Sequence, residues 1–219
     1  MLPKYEQKLR EIRNDISTMA EFVLESFKNS YDGVRGHDLT MIDNAKKGQL
    51  GNLGYLANSI DNNIIVTFAL YTPEAGELRE LIALLKATNE MVRMGDAARN
   101  YATGMHQILS SNVNITPFQP FILELHSIAL RSIELLIKGL ADFNHEIYRA
   151  ILVEEDKSDE ILAILNKEII ATVCEDKSLV ELYIKILNTV KRLERATDRV
   201  ASIAKLILYA KEGGRLEFN

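Results

Sequence analysis

Met91-Val92-Arg93-Met94-Gly95-Asp96 and Leu193-Glu194-Arg195-Ala196-Thr197-Asp198 are the two stretches whose reading decides the fold. Arg93 and Arg195 lie 102 residues apart, and so do Asp96 and Asp198. At the same offset Leu84-Leu85 meets Ile186-Leu187, and Ala102 meets Ala204. An offset held over several helical turns is the mark of an internal duplication.

Working outward, each half reads as three helices. Leu9, Ile12, Ile16, Met19, Val23 and Phe27 recur at spacings of three and four, one apolar stripe of a first helix. The Tyr31–Gly36 stretch, with its two glycines, predicts the end of that helix. A second helix is expected from about Asp38 to Tyr71. Gly48, Gly51 and Gly54 lie inside it, each costing up to ~1 kcal/mol relative to Ala. They mark either a close approach of another backbone or a broken helix. Thr72-Pro73-Glu74 reads as an N-cap, an N1 proline and an acidic first turn for a third helix ending near Ser110.

Residues 112–120, Asn-Val-Asn-Ile-Thr-Pro-Phe-Gln-Pro, form the clearest linker. A fourth helix then carries Ile122, Leu125, Ile128, Ile133, Leu136 and Leu140. Asn144 is the expected cap of a fifth helix. Glu175-Asp176 is the expected start of a sixth, which Gly213-Gly214 stops. No β alternation is visible. The expectation is an all-α fold of two tandem three-helix bundles, residues 1–111 and 121–219, joined by 112–120.

Composition agrees. Of 219 residues, 47% are hydrophobic and 26% charged, as in ordinary soluble domains. The net charge of −5 argues against nonspecific nucleic-acid binding, which needs a basic face. Cys174 is alone, so no intramolecular disulfide can form, which fits a reducing compartment. Its neighbours Val173 and Glu175 supply no positive charge, so it reads as an inert packed thiol. The N-terminus lacks the apolar region of a signal peptide, and no run approaches the ~18 apolar residues of a membrane span. A soluble cytoplasmic protein is expected.

The chemistry-bearing residues are acidic. Glu194 and Asp198 are four apart and share one helix face, and Glu155 and Asp159 repeat that spacing on the fifth helix. If the two helices are antiparallel neighbours, four carboxylates converge. An all-oxygen set suits Mg²⁺, Ca²⁺, Mn²⁺ or ferric iron better than Zn²⁺. The same spacings also describe ordinary solvated faces, with Arg195–Asp198 and Arg93–Asp96 as ion pairs one turn apart. A di-iron carboxylate enzyme needs Glu-x-x-His on two helices. The residues three before His37, His106, His126 and His145 are Val34, Thr103, Leu123 and Asp142, so that motif is missing. No nucleotide-binding loop, nucleophile elbow or Cys-x-x-Cys occurs either. No catalytic residue is assigned.

These stretches resemble the PhoU family. Pro73-Glu74-Ala75-Gly76-Glu77-Leu78-Arg79 looks like the family's entry into the third helix. Met91–Asp96 and Leu193–Asp198 look like its Leu-Glu-Arg-Ile-Gly-Asp signature, once in each repeat. The resemblance implies two three-helix bundles side by side and a regulator of phosphate uptake and phosphate-responsive signalling. It implies contact with a phosphate transporter component and a membrane sensor kinase, and it leaves room for a homodimer. It further implies metal ions on Glu/Asp-x-x-x-Asp motifs, here Glu155/Asp159 and Glu194/Asp198. The first repeat departs from the pattern: Val92 replaces the signature glutamate, and no acid stands between Asn44 and Ile60. Metal is therefore expected in the second repeat alone. An accessory of a secondary phosphate transporter, or a carboxylate metal-storage or enzyme bundle, are the alternative readings.

Overall fold

Leu9, Ile12, Ile16, Met19, Val23 and Phe27, the stripe that opens the chain, are all buried, and the elements around them follow from that burial. The computed structural model describes residues 3–111, 114–175 and 180–213. The helices are α1 (Pro3–Gly36), α2 (Leu39–Lys47), a 3-10 turn (Gln49–Asn52), α3 (Leu53–Tyr71), α4 (Ala75–Leu109), α5 (Gln119–Ala141), α6 (His145–Glu175) and α7 (Val180–Glu212). The six expected helices are present, with the second divided into α2, the turn and α3. No strand occurs among the described residues.

One local alternative is decided and one local expectation changes. The glycines do break the second helix: Gly48, at φ −57° and ψ −147°, leaves the helical region while its N–H still reaches the Asn44 carbonyl at 3.0 Å. The Tyr31–Gly36 stretch ends α1 as expected, the helix running to Gly36. Left-handed His37 (φ 54°) turns the chain, and the Asp38 carboxylate accepts from the N–H groups of Thr40 and Met41 at 2.8 and 3.3 Å to start α2. Thr72 is not the cap of α4. It ends α3 in a left-handed conformation, φ 41°, and Glu74 caps α4 in a reciprocal capping box with Glu77.

Asn144 caps α6 as expected, accepting from the Ile147 N–H at 2.9 Å. Left-handed Gly213 (φ 74°) stops α7. The Cys174 side chain, Asp176 and Gly214 lie outside the described residues.

The first bundle is α1 with α2, α3 and α4, and the second is α5 with α6 and α7. They join chiefly along α4 and α7, with α1 against α5. The repeat makes α4 equivalent to α7, and chain order makes α1 equivalent to α5, so like packs against like. This is the logic of a two-fold interface within one chain.

Where α1, α4 and α5 meet, His126 is fully buried and ringed edge-on by Phe27, Tyr31 and Tyr101. Its Nδ1 lies 3.2 Å from the Tyr101 hydroxyl. Loss of hydration lowers its pKa to about 3, which keeps it neutral.

Small residues let α4 and α7 come close. A Cβ at Gly104 would sit 2.4 Å from Thr189 Oγ1 and 2.6 Å from its Cγ2. Thr189 is β-branched and its hydroxyl donates to the Lys185 carbonyl at 2.8 Å, so it cannot swing away freely. Alanine in a helix gains ~1 kcal/mol over glycine, whereas overpacking of this kind costs ~1–3 kcal/mol. Gly104→Ala is expected to destabilise the protein by about 1 kcal/mol or more in urea unfolding. Adding Thr189→Ala should recover most of that loss.

Candidate metal centre

α7 buries Leu193, Ala196, Thr197 and Val200 in the seam between the bundles. That fixes its rotation and leaves Glu194 and Asp198 half-buried at its flank. α6 ends at Glu175 and α7 begins at Val180, so these two packed helices run antiparallel. The result brings one carboxylate oxygen each from Asp159, Glu194 and Asp198 within 4.8 Å of one another. Among the described residues this is the one group of three or more His, Cys, Asp or Glu donors so close together.

Of the four acids expected to converge, these three do. Glu155 stands one turn before Asp159 on α6 with Lys205 Nζ 3.9 Å from its Oε1. It borders the group without entering the 4.8 Å set. Lys205 was not among the expected site residues. Its position two turns beyond Asp198 on the same helix was the available signal.

Three carboxylates this close resist ionisation together. Burial, then the charges of Asp198 and Asp159, push the Glu194 carboxyl up to about 7. The Asp198 carboxyl is raised by burial and by Asp159, partly offset by Arg199, Lys205 and Arg195. Glu155 is also raised by burial, with Lys205 opposing and Asp198, Asp159 and Asp156 adding to it. Such a cluster relaxes by taking up protons or by taking up a cation. An oxygen-only set from three carboxylates, completed by water, fits a hard cation such as Mg²⁺, Mn²⁺, Ca²⁺ or Fe³⁺.

The ion pairs read from spacing take other partners. Arg93 pairs with Glu90 at 3.4 Å and Asp96 with Arg99 at 3.3 Å. Arg195 makes no ion pair with Asp198, and the Asp198 carboxylate stays with the acidic group.

The first repeat has no counterpart among the described residues. At the 102-residue offset, Val92 stands for Glu194, Leu53 for Glu155 and Ala57 for Asp159. Leu53 fills the gap: a Cβ at Gly95 would lie 2.1 Å from Leu53 Cδ1. Asp96 faces outward beside Arg99, which donates to the Leu50 carbonyl at 3.2 Å.

The raised pKa of Glu194 has a stability consequence. The unfolded chain releases this proton near the ordinary 4.5, whereas the folded state holds it to about 7. The group therefore costs stability progressively as pH rises from ~4.5 through ~7, and the cost is complete above that. Glu194→Gln removes it. Measured without metal, the melting temperature of the variant relative to wild type should rise from pH 5 to pH 8. A constant difference would show that the acidic group carries no such strain.

Comparison with known proteins follows the same outline. The family model described as "PhoU domain" matches residues 16–105 and again 122–207. A phosphate-specific transport system accessory protein PhoU homolog of Aquifex aeolicus is 24% identical over 210 residues, covering 94% of this chain and 92% of the relative. The crystal structure of PhoU from Pseudomonas aeruginosa superposes with a TM-score of 0.85 at 18% identity, covering 96% of this chain and 100% of that one. The phosphate transport system regulatory protein PhoU from Streptococcus pneumoniae superposes with a TM-score of 0.86 at 19% identity, covering 98% and 100%. With one copy of the domain matched in each half and most of the sequence covered, the chain belongs to the PhoU domain family.

Proposed function

We propose that this protein regulates phosphate uptake by docking on a component of a phosphate transport system, and that a metal ion on Asp159, Glu194 and Asp198, bordered by Glu155, sets the state of the docking face. The protein is a regulator, not an enzyme. The observation that carries the reading is the doubled family domain with its acidic group intact in one copy. The relative in Aquifex aeolicus is named an accessory protein of phosphate-specific transport, and the streptococcal structure a phosphate transport system regulatory protein. No helix among the described residues is long and apolar enough to cross a membrane. On this reading the protein works in the cytoplasm, on a membrane transporter and on the sensor kinase that reports phosphate supply.

The physical argument is one of differential affinity. A regulator shifts a partner between two states only if it binds one of them better. Without metal, the acidic group is partly protonated near pH 7 and repels other anions. With a divalent or trivalent cation bound, all three carboxylates ionise and their charge is largely neutralised. One face of α6 and α7 then presents a different field to a partner. The bundles corresponding to residues 1–111 and 121–219 divide the work: the second holds the ion, and the first, closed by Leu53, serves as scaffold.

Titration of the metal-free protein with Mn²⁺ should reveal binding that Glu194→Gln/Asp198→Asn weakens by at least ~10-fold. Unchanged affinity and stoichiometry would remove these residues from the site.

In cells, deletion should misregulate uptake of labelled phosphate, and the wild-type gene should restore control while the double variant does not. Uptake and phosphate-responsive transcription unaffected by deletion would overturn the functional reading. Full complementation by the double variant would leave the regulator and discard its metal switch.

A further inference from the structure

α7 is charged on two sides. Glu194 and Asp198 face α6, while Arg192, Arg195 and Arg199, spaced by three and four, face α4. With Arg93, Asp96 and Asn100 of α4 they line a cleft of about 270 Å³ in the seam between the bundles. Four guanidinium groups thus meet at one place in a protein whose net charge is −5.

The local carboxylates do not satisfy them. Glu90 pairs with both Arg93 and Arg199, and Asp96 is drawn to Arg99, which lies outside the cleft. Arg192 and Arg195 make no hydrogen bond or ion pair with any described residue. Arg195 feels the Glu194 charge from the metal side. The Arg199 Nε is buried and has no acceptor among the described residues. Guanidinium cannot shed its proton, so the cleft keeps its charge at every physiological pH. Asp96 is the one carboxylate in the lining, beside four guanidinium groups, so the cleft is positive.

The internal repeat shows where the positive charge comes from. Arg93 and Arg195 are equivalent positions. At the same offset, however, Arg192 stands where the first repeat has Glu90, and Arg199 where it has Ala97. Both departures from the repeat add an arginine, and both point into this cleft.

We propose that the cleft is an oxyanion site for a phosphoryl group, taken either as free inorganic phosphate or as the terminal group of a phosphorylated small molecule. Charge points to the class: a dianion offsets more of the charge of four arginines than a carboxylate or chloride does. Shape agrees. Arginines arriving from two helices offer forks to oxygens on different sides of a tetrahedral anion, and the Asn100 amide adds a neutral donor. The site stands on these side chains alone and does not depend on metal at the acidic group.

The test is calorimetric titration of the full chain in chelator, at low chloride and pH 7.5, with inorganic phosphate and separately with ATP. Saturable binding is expected. Arg192→Gln/Arg195→Gln should weaken it at least tenfold, while Arg10→Gln, which removes one exposed charge on α1, should change it less than twofold. Tighter binding of phosphate than of ATP assigns free phosphate as the ligand, and the reverse assigns a phosphorylated small molecule. No saturable binding of either probe, wild-type affinity in the double variant, or an equal loss in Arg10→Gln would each overturn the proposal.

Discussion

Everything in this molecule hangs on how α7 lies against α4. The seam is built of small residues: buried Ala98 and Ala102 and half-buried Gly104 on one helix, buried Ala196, Ala201 and Ala204 on the other. Small residues bring the two backbones close, and close backbones leave little freedom in the rotation of either helix. Side-chain direction on a helix follows from that rotation. Once Leu193, Ala196, Thr197 and Val200 are turned inward, Glu194 and Asp198 must look one way and Arg192, Arg195 and Arg199 another. The acidic group and the basic cleft are therefore two results of one packing decision.

They are also electrically linked. Arg195 and Arg199 lower the pKa values of the acids behind them, against the stronger effects of burial and mutual repulsion. Charges on two flanks of one half-buried helix interact with less screening than fully exposed pairs do. A cation on one side of α7 and an anion on the other would each ease the binding of the other, without any movement of the backbone. Such reciprocity is required of any two sites coupled through a shared field.

What the amino-acid order made legible was local or periodic. The duplication, the helical stripes and the acidic pairs at i,i+4 all depend on spacing within one helix or on one fixed offset. The end of the chain's second helix at Gly48 was ambiguous because three glycines support a break or a close approach equally well. The start of α4 was misplaced by two residues because Thr72-Pro73 mimics a cap, whereas Thr72 turns left-handed to end α3 and the reciprocal bonds are made by Glu74 and Glu77. Lys205 was missed because its spacing from Asp198, two turns along one helix, becomes informative only once α6 is known to pack there. The arginine cleft was out of reach for the same reason: its walls come from different repeats, and no local pattern says which faces of α4 and α7 meet.

Leu53 beneath Gly95 makes the asymmetry between the halves resistant to single substitutions. A lone glutamate at Val92 would restore the pair with Asp96 but gain no acid from the facing helix, because Leu53 and Ala57 hold the matching positions. A carboxylate at Leu53 would lose a buried apolar side chain before any cation could compensate it. Each single step back towards a second centre lowers stability without restoring a ligand set, and only several changes made together would do so. The first repeat is closed in this sense: Leu53 against Gly95 holds the scaffold, and no single substitution turns it into a ligand set.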